Sequence, residues 1–300
     1  MQYFDLHCDT LYKAVTSKSS LANPEFEVTL NKSAMFDKWC QCFAVWIPDN
    51  ISSEKAMNLF LKASALMKSS SDSYNIEPFN SNETASRMQY ILTLENAEIL
   101  AGNPANIELL AQHNVRMVTL TWNAENCIGG GADAKDKGLS DFGKVCVKEF
   151  EQKSIVIDIS HASDKTFYDV LSYTTAPIAA SHSNSRTVCS HRRNLTDEQF
   201  MEIARRKGVV GLNFHKEFLN DNRDRSSICD VLKHTEHFLT LDGEDVLCIG
   251  SDFDGADPIK ELSSTEKIPH LYESFLKIGY NEQLVQKILY YNAYNFFSRF

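Results

Sequence analysis

The sequence predicts an α/β fold of the (β/α)₈ barrel type, and three observations carry that expectation. Short apolar runs rich in β-branched residues recur along the whole chain. Longer segments with apolar residues at helical spacing separate them. The alternation repeats about eight times, which suits a closed parallel barrel with modest insertions. The length, 300 residues, fits one domain over residues 1–300.

Eight runs have the composition and turn-like flanks of buried strands: residues 3–6, 40–47, 90–94, 115–121, 155–160, 178–181, 209–214 and 246–250. Helices are expected at 53–69, 141–152, 163–171, 196–207, 227–240 and 281–297. Ser52 or Ser53, Ser163 and Thr196 stand where N-caps belong. Thr196-Asp197-Glu198-Gln199 has the spacing of a capping box. An open doubly wound sheet is the rival fold. No G-x-G-x-x-G follows the first strand to support a dinucleotide-binding version of it. Two stretches read as long loops, 123–140 and 253–267. The first contains Gly129-Gly130-Gly131, which does not fit the phosphate-loop pattern and reads as a flexible lid or a plain surface loop.

Composition narrows the function. Hydrophobic residues make up 43% of the chain, ample for a large core. The formal charge of −10 argues against nucleic-acid or anionic-membrane binding. The eight cysteines form no C-x-x-C pair and mostly sit in apolar runs, as small buried hydrophobes of a reducing compartment do. No apolar run approaches ~18 residues, the length of a membrane span. No basic leader with an apolar stretch precedes the first run, so a cytoplasmic location is expected.

The chemistry-bearing residues cluster by position. His7 and Asp9 close the first run, Glu95 the third, His161 the fifth and His182 the sixth, and Asp252 follows the eighth. In a barrel those ends meet on the face that carries active sites. Residues two apart on a strand point the same way, so His7 and Asp9 face inward together and Cys8 outward. Glu95 ends the run Ile91-Leu92-Thr93-Leu94, where a carboxylate needs a cation, met by a salt bridge or a metal. Asp252 sits beside Gly250-Ser251, as a proton-moving group or as the start of an Asx-turn. Together, His7, Asp9, Glu95, His161 and His182 can hold two divalent ions, with one carboxylate bridging. Two ions about 3.5–4 Å apart can share a hydroxide and polarise a carbonyl.

Four strings then carry a resemblance. Asp5-Leu6-His7-Cys8-Asp9-Thr10, Asp158-Ile159-Ser160-His161-Ala162-Ser163, Ser181-His182-Ser183 with Arg192-Arg193-Asn194, and Gly250-Ser251-Asp252-Phe253-Asp254-Gly255 resemble the membrane (renal) dipeptidase family of metallopeptidases, in the family's order. The resemblance implies a dinuclear zinc dipeptidase on a (β/α)₈ barrel, commonly a homodimer, with two Zn²⁺ per chain. His7 and Asp9 would bind one zinc, His161 and His182 the other, and Glu95 would bridge. Asp252 would handle the proton, and Arg193 would hold the free carboxylate of a small peptide. The chain departs from the membrane-anchored members at Trp122, which falls where they carry a histidine and would, by the resemblance, stand against the substrate. Fold and metals alone leave room for a deacylase, lactonase or deaminase on the same site, or for a catalytically weak relative.

Overall fold

The computed structural model describes residues 1–81 and 87–300. Its sheet contains strands β1 (Gln2–Asp5), β2 (Lys38–Trp46), β3 (Glu77–Pro78), β4 (Met88–Glu95), β5 (Val115–Thr119), β6 (Val156–Asp158), β7 (Ala179–Ala180), β8 (Val209–Leu212) and β9 (Leu247–Ile249). Every pairing is parallel. The ring runs β2-β1-β9-β8-β7-β6-β5-β4 and closes because β4 also pairs with β2. The short β3 uses the start of β4, at Gln89 and Tyr90, where β5 has not yet begun to pair. This is a (β/α)₈ barrel, and each of its eight strands falls on a run expected from the sequence.

Several strands stop earlier than the apolar runs suggest. The run 178–181 gives only Ala179–Ala180, and 155–160 only Val156–Asp158. The backbone groups beyond those ends bond to side chains instead of ladder carbonyls. Asp158 Oδ1 accepts from Ser160 N at 3.0 Å and Ser181 N at 2.8 Å. Asp5 Oδ1 accepts from His7 N at 3.2 Å and Ser251 N at 2.9 Å. Two buried carboxylates thus bend four strand ends toward the mouth of the barrel.

Alternate strand residues fill the lumen with Phe4, Leu6, Cys40, Cys42, Met117 and Val156, among others. The lumen is plugged at the N-terminal end of the strands by the last helical segment, where Phe297 stacks on Phe4 at 5.7 Å. Outward residues such as Tyr3, Phe43, Val45 and Val118 pack under the helices in a second, larger core. The other end of the lumen is left for the functional residues.

The expected helices form, with caps as anticipated. Ser52 accepts from Lys55 N, Ser163 from Thr166 N, and Thr196 with Gln199 makes a complete capping box. The segment 281–297 is helical but carries a π turn at Lys287–Tyr291. Helices at Thr10–Ser17, Ala105–Gln112 and Ile268–Lys277 were not expected, since the first two span barely two turns, too few for periodicity to register. The loop 253–267 contains two short 3₁₀ turns, Lys260–Leu262 and Thr265–Lys267.

The loop 123–140 is exposed at its tip, at Asp133 and Lys135–Lys137, but its three glycines are not on the surface. Gly129, Gly130 and Gly131 are buried, and bridges join Gly129 to Leu139 and Gly131 to Ala162. A Cβ at Gly131 would run into the carbonyl oxygens of Trp122, Asn123 and Ala124. Glycine is needed there for close backbone approach, which holds the segment 122–124 over the barrel mouth.

Candidate active site

The sequence places one chemistry-bearing group at the end of most strands, and barrel closure brings them together. His7 and Asp9 follow β1, Glu95 ends β4, His161 follows β6, His182 follows β7 and Asp252 follows β9. All six are buried. His161 and Asp252 take up left-handed backbone conformations, φ 67° and 64°, which non-glycine residues adopt at a cost of about 1–2 kcal/mol. Those turns aim both side chains back over the lumen.

Glu95 lies at the centre. Its Oε1 is 2.9 Å from His161 Nε2 and 3.8 Å from His182 Nε2. Its Oε2 is 3.4 Å from His7 Nε2, which is also 3.4 Å from Asp9 Oδ2. One carboxylate thus shows one oxygen to each half of the cluster. His7 Nε2, His182 Nε2 and Asp9 Oδ1 are buried without hydrogen-bond partners. Such orphaned atoms are costly unless a ligand satisfies them, and their N and O chemistry suits divalent metal ions. Two groups of ligand atoms are close enough for an ion, His7–Glu95–His182 and His7–Asp9–Asp252. Asp252 is therefore near enough to ligate as well as to move protons.

The ring nitrogens turned away from the cluster are fixed. His161 Nδ1 is 2.9 Å from Asn123 Oδ1, which can only accept, so His161 carries its proton on Nδ1. His182 Nδ1 is 2.7 Å from Ser181 Oγ, whose hydroxyl donates to Asp158 Oδ2 at 2.6 Å. Thr119 Oγ1 donates to that same oxygen at 2.6 Å. Each Nε2 is left with a lone pair facing inward. Burial, then the nearby Arg193 and His7 charges, hold both imidazoles well below their usual pKa, as ligands require. Burial pulls His7 the same way, but Glu95 and Asp9 outweigh it and hold His7 high. Burial pushes Glu95 up to about 7.

Asp252 is oriented by Asn213, whose Nδ2 donates to Oδ2 at 2.8 Å, leaving Oδ1 turned toward His7 at 3.9 Å. The two arginines after β7 separate sharply. Arg192 is exposed at 62% of its side chain and pairs with Asp133. Arg193 is 6% exposed, and its Nε and Nη2 have no partner. Its guanidinium lies over the Phe218 ring at 5.4 Å. Asp197, at the start of the next helix, bonds Thr187 and His237 and not Arg193. Trp122 sits between Trp46, at 5.1 Å edge-on, and His161, at 6.0 Å.

These groups line a cavity of about 570 Å³ that includes Asp9, Glu95, His161, Arg193 and Asp252. A larger groove of about 850 Å³ lies at the other end of the barrel, beside Val209 and Phe296. Neither candidate metal group found among the described residues lies there. Sequence reasoning missed Asn123, Asp158, Ser181 and Asn213. Asp158 had left a signal, a carboxylate inside the apolar run Ile155-Val156-Ile157. The amides had none, because their roles depend on neighbours far away in the chain.

The chain matches a 31% identical protein from Klebsiella pneumoniae, described as an uncharacterized protein in the pqqA 5′ region, over 66% of this chain and 77% of that one. It is 35% identical to an uncharacterized dipeptidase of Schizosaccharomyces pombe over 52% of this chain, a match spanning only 39% of that protein's length. Among solved structures, a metallopeptidase described as dipeptidase AC superposes with a TM-score of 0.92 at 26% identity, covering 100% of this chain and 98% of that one. A metallopeptidase from Rhodobacter sphaeroides, liganded with a phosphinate mimic of the dipeptide L-Ala-D-Ala, also gives 0.92, at 25% identity over 100% and 99%. The sequence profile of the membrane dipeptidase family, peptidase family M19, matches residues 1–299. With the barrel and its ring of buried histidines and carboxylates, that match settles the class: the chain belongs to the membrane dipeptidase family of metallopeptidases.

Proposed function

We propose that this chain, acting as one barrel domain over residues 1–300, is a dinuclear zinc dipeptidase that cleaves dipeptides with a free C-terminal carboxylate. The observation that carries the proposal is Glu95, which turns one oxygen to His7 and the other to His161 and His182. In this reading His7 and Asp9 would hold one ion and His161 and His182 the second, with Glu95 shared between them. A divalent ion such as zinc bound there would supply Lewis acidity, polarising the scissile carbonyl and lowering the pKa of a water.

The protein's own groups supply the rest. Arg193 has two unpartnered nitrogens and is braced on Phe218, so it suits paired hydrogen bonds to the substrate's carboxylate. Asp252 has one oxygen fixed by Asn213 and one free. It accepts a proton from the water as the oxygen adds to the carbonyl carbon, then gives that proton to the amine as the C–N bond breaks. Burial of the cluster excludes bulk water and strengthens these interactions. The Rhodobacter sphaeroides relative binds a dipeptide mimic, which supports a small peptide as substrate. The proposal extends to a homodimer in the cytoplasm. Eight unpaired cysteines fit a reducing compartment, and no helix among the described residues is long and apolar enough to cross a membrane.

Two measurements test this reading. Elemental analysis should find two zinc equivalents per chain, both depleted in Glu95→Gln; full activity without metal would overturn it. Arg193→Met should lower kcat/KM on a free dipeptide roughly 10–150-fold while sparing its C-terminal amide, and Arg192→Met should do neither. Equal losses on both substrates would remove Arg193 from carboxylate recognition.

A further inference from the structure

The rim of the barrel mouth is divided into two chemically different halves. Tyr12 follows β1, Trp46 ends β2 and Trp122 follows β5. Their rings meet edge to face, Tyr12 on Trp46 at 4.8 Å and Trp46 on Trp122 at 5.1 Å. The row ends on the ligand-candidate His161 at 6.0 Å from Trp122. All three rings line the cavity, and none is fully buried, so they are not simply core. Arg193 and Phe218 sit on the opposite half, after β7 and β8. Glu95 and the imidazoles lie between the halves.

A dipeptide is short, and its two ends must be read from opposite sides of the bond to be cut. With its carboxylate on Arg193 and its carbonyl over the cluster, only the N-terminal residue can reach the aromatic row. We propose that the row Tyr12–Trp46–Trp122 is the pocket for the side chain of the N-terminal residue, and that the enzyme prefers dipeptides whose first residue is large and apolar or aromatic. The proposal rests on the dipeptidase reading and adds to it a substrate class. Trp122 is the decisive member, because it joins the row to His161. A flat, partly buried indole surface rewards ring and branched side chains and offers no partner to an anionic one. The wall is held rigidly, since Gly131 packs directly against the carbonyls of residues 122–124.

The test compares sequence-reversed pairs. On the zinc-loaded enzyme, kcat/KM should rise roughly 10–100-fold from Gly-Ala through Leu-Ala to Phe-Ala, the worth of burying such a side chain. The series Ala-Gly, Ala-Leu, Ala-Phe should vary much less. Non-hydrolysable phosphinate analogues of Phe-Ala and Ala-Phe should show the same order in Ki. Two of the chain's three tryptophans are in the row. In a Trp39→Phe background the Phe-Ala analogue should therefore shift indole emission more than the Ala-Phe analogue. Trp122→Ala should bring the Phe-Ala to Gly-Ala ratio toward one, and Trp122→Phe should keep most of it; because ratios are compared, a general loss of rate does not obscure the result. Hydrolysis with no dependence on the first residue, or with selection at the second, would overturn the pocket and leave the dipeptidase standing. Failure to hydrolyse any dipeptide or bind any analogue would overturn both.

Discussion

The site depends on single atoms whose partners lie far apart in the sequence. Ser181 Oγ links His182 Nδ1 to the buried Asp158, so the hydroxyl decides which nitrogen of His182 stays free. Ser181→Ala should weaken metal binding 10–100-fold, the usual effect of losing a group behind a ligand. Competition against a chelator measures it, and unchanged affinity would make the relay merely structural. Asp252→Asn should keep both metals and lower kcat about 10²–10⁴-fold. Loss of metal instead would make Asp252 a ligand, as its nearness to His7 and Asp9 allows. At this scale the sequence was partly readable. His7, Asp9, Glu95, His161, His182 and Asp252 stood at strand ends, where barrel geometry collects them. Arg193 could be told from Arg192 only by resemblance, because burial and pairing with Asp133 are properties of the folded chain. Asn123 and Asn213 were silent, since an amide in a loop looks the same whether it orients a ligand or faces water.

Among the elements, the strands were the most legible because parallel barrel strands are apolar on both faces. Their ends were less so, because Asp5 and Asp158 draw backbone N–H groups out of the ladder. Helix Ile228–Leu239 shows how an outer element steadies the mouth. Its His234 accepts from Ser185 N on Nδ1 at 3.1 Å and donates from Nε2 to Leu219 O at 3.1 Å. Ser185 in turn pairs with Leu195 at the far end of the loop that carries Arg193. Burial pulls His234 from 6.5 down to about 4. The unfolded chain therefore binds the proton more tightly, so this contribution is whole above pH 6.5 and is lost as pH falls toward about 4. The difference is worth about 3 kcal/mol. His234→Gln should flatten the rise of unfolding free energy between those pH values relative to the parent, measured by urea titration. An unchanged slope would mean that His234 does not feel its burial.

For the whole molecule, the governing feature is closure between the two ends of the chain. β1 pairs with β9 through Asp5 and Ile249, and Ser251 bonds Asp5 across the same seam. A chain ending at Asp245 keeps His7, Asp9, Glu95, His161, His182 and Arg193 but loses β9, leaving β1 and β8 as open edges. It should retain little zinc and associate into larger species on size-exclusion chromatography; a monomer holding two equivalents would refute the need for closure. The seam also bears on synthesis. Five ligand candidates leave the ribosome well before the last strand does, yet the ring that gathers them cannot close until that strand arrives. A stalled or clipped product would be catalytically silent, and its two bare edges would expose it to chaperones and proteases. Peptide hydrolysis would then begin only in finished molecules, and measured activity would count intact chains.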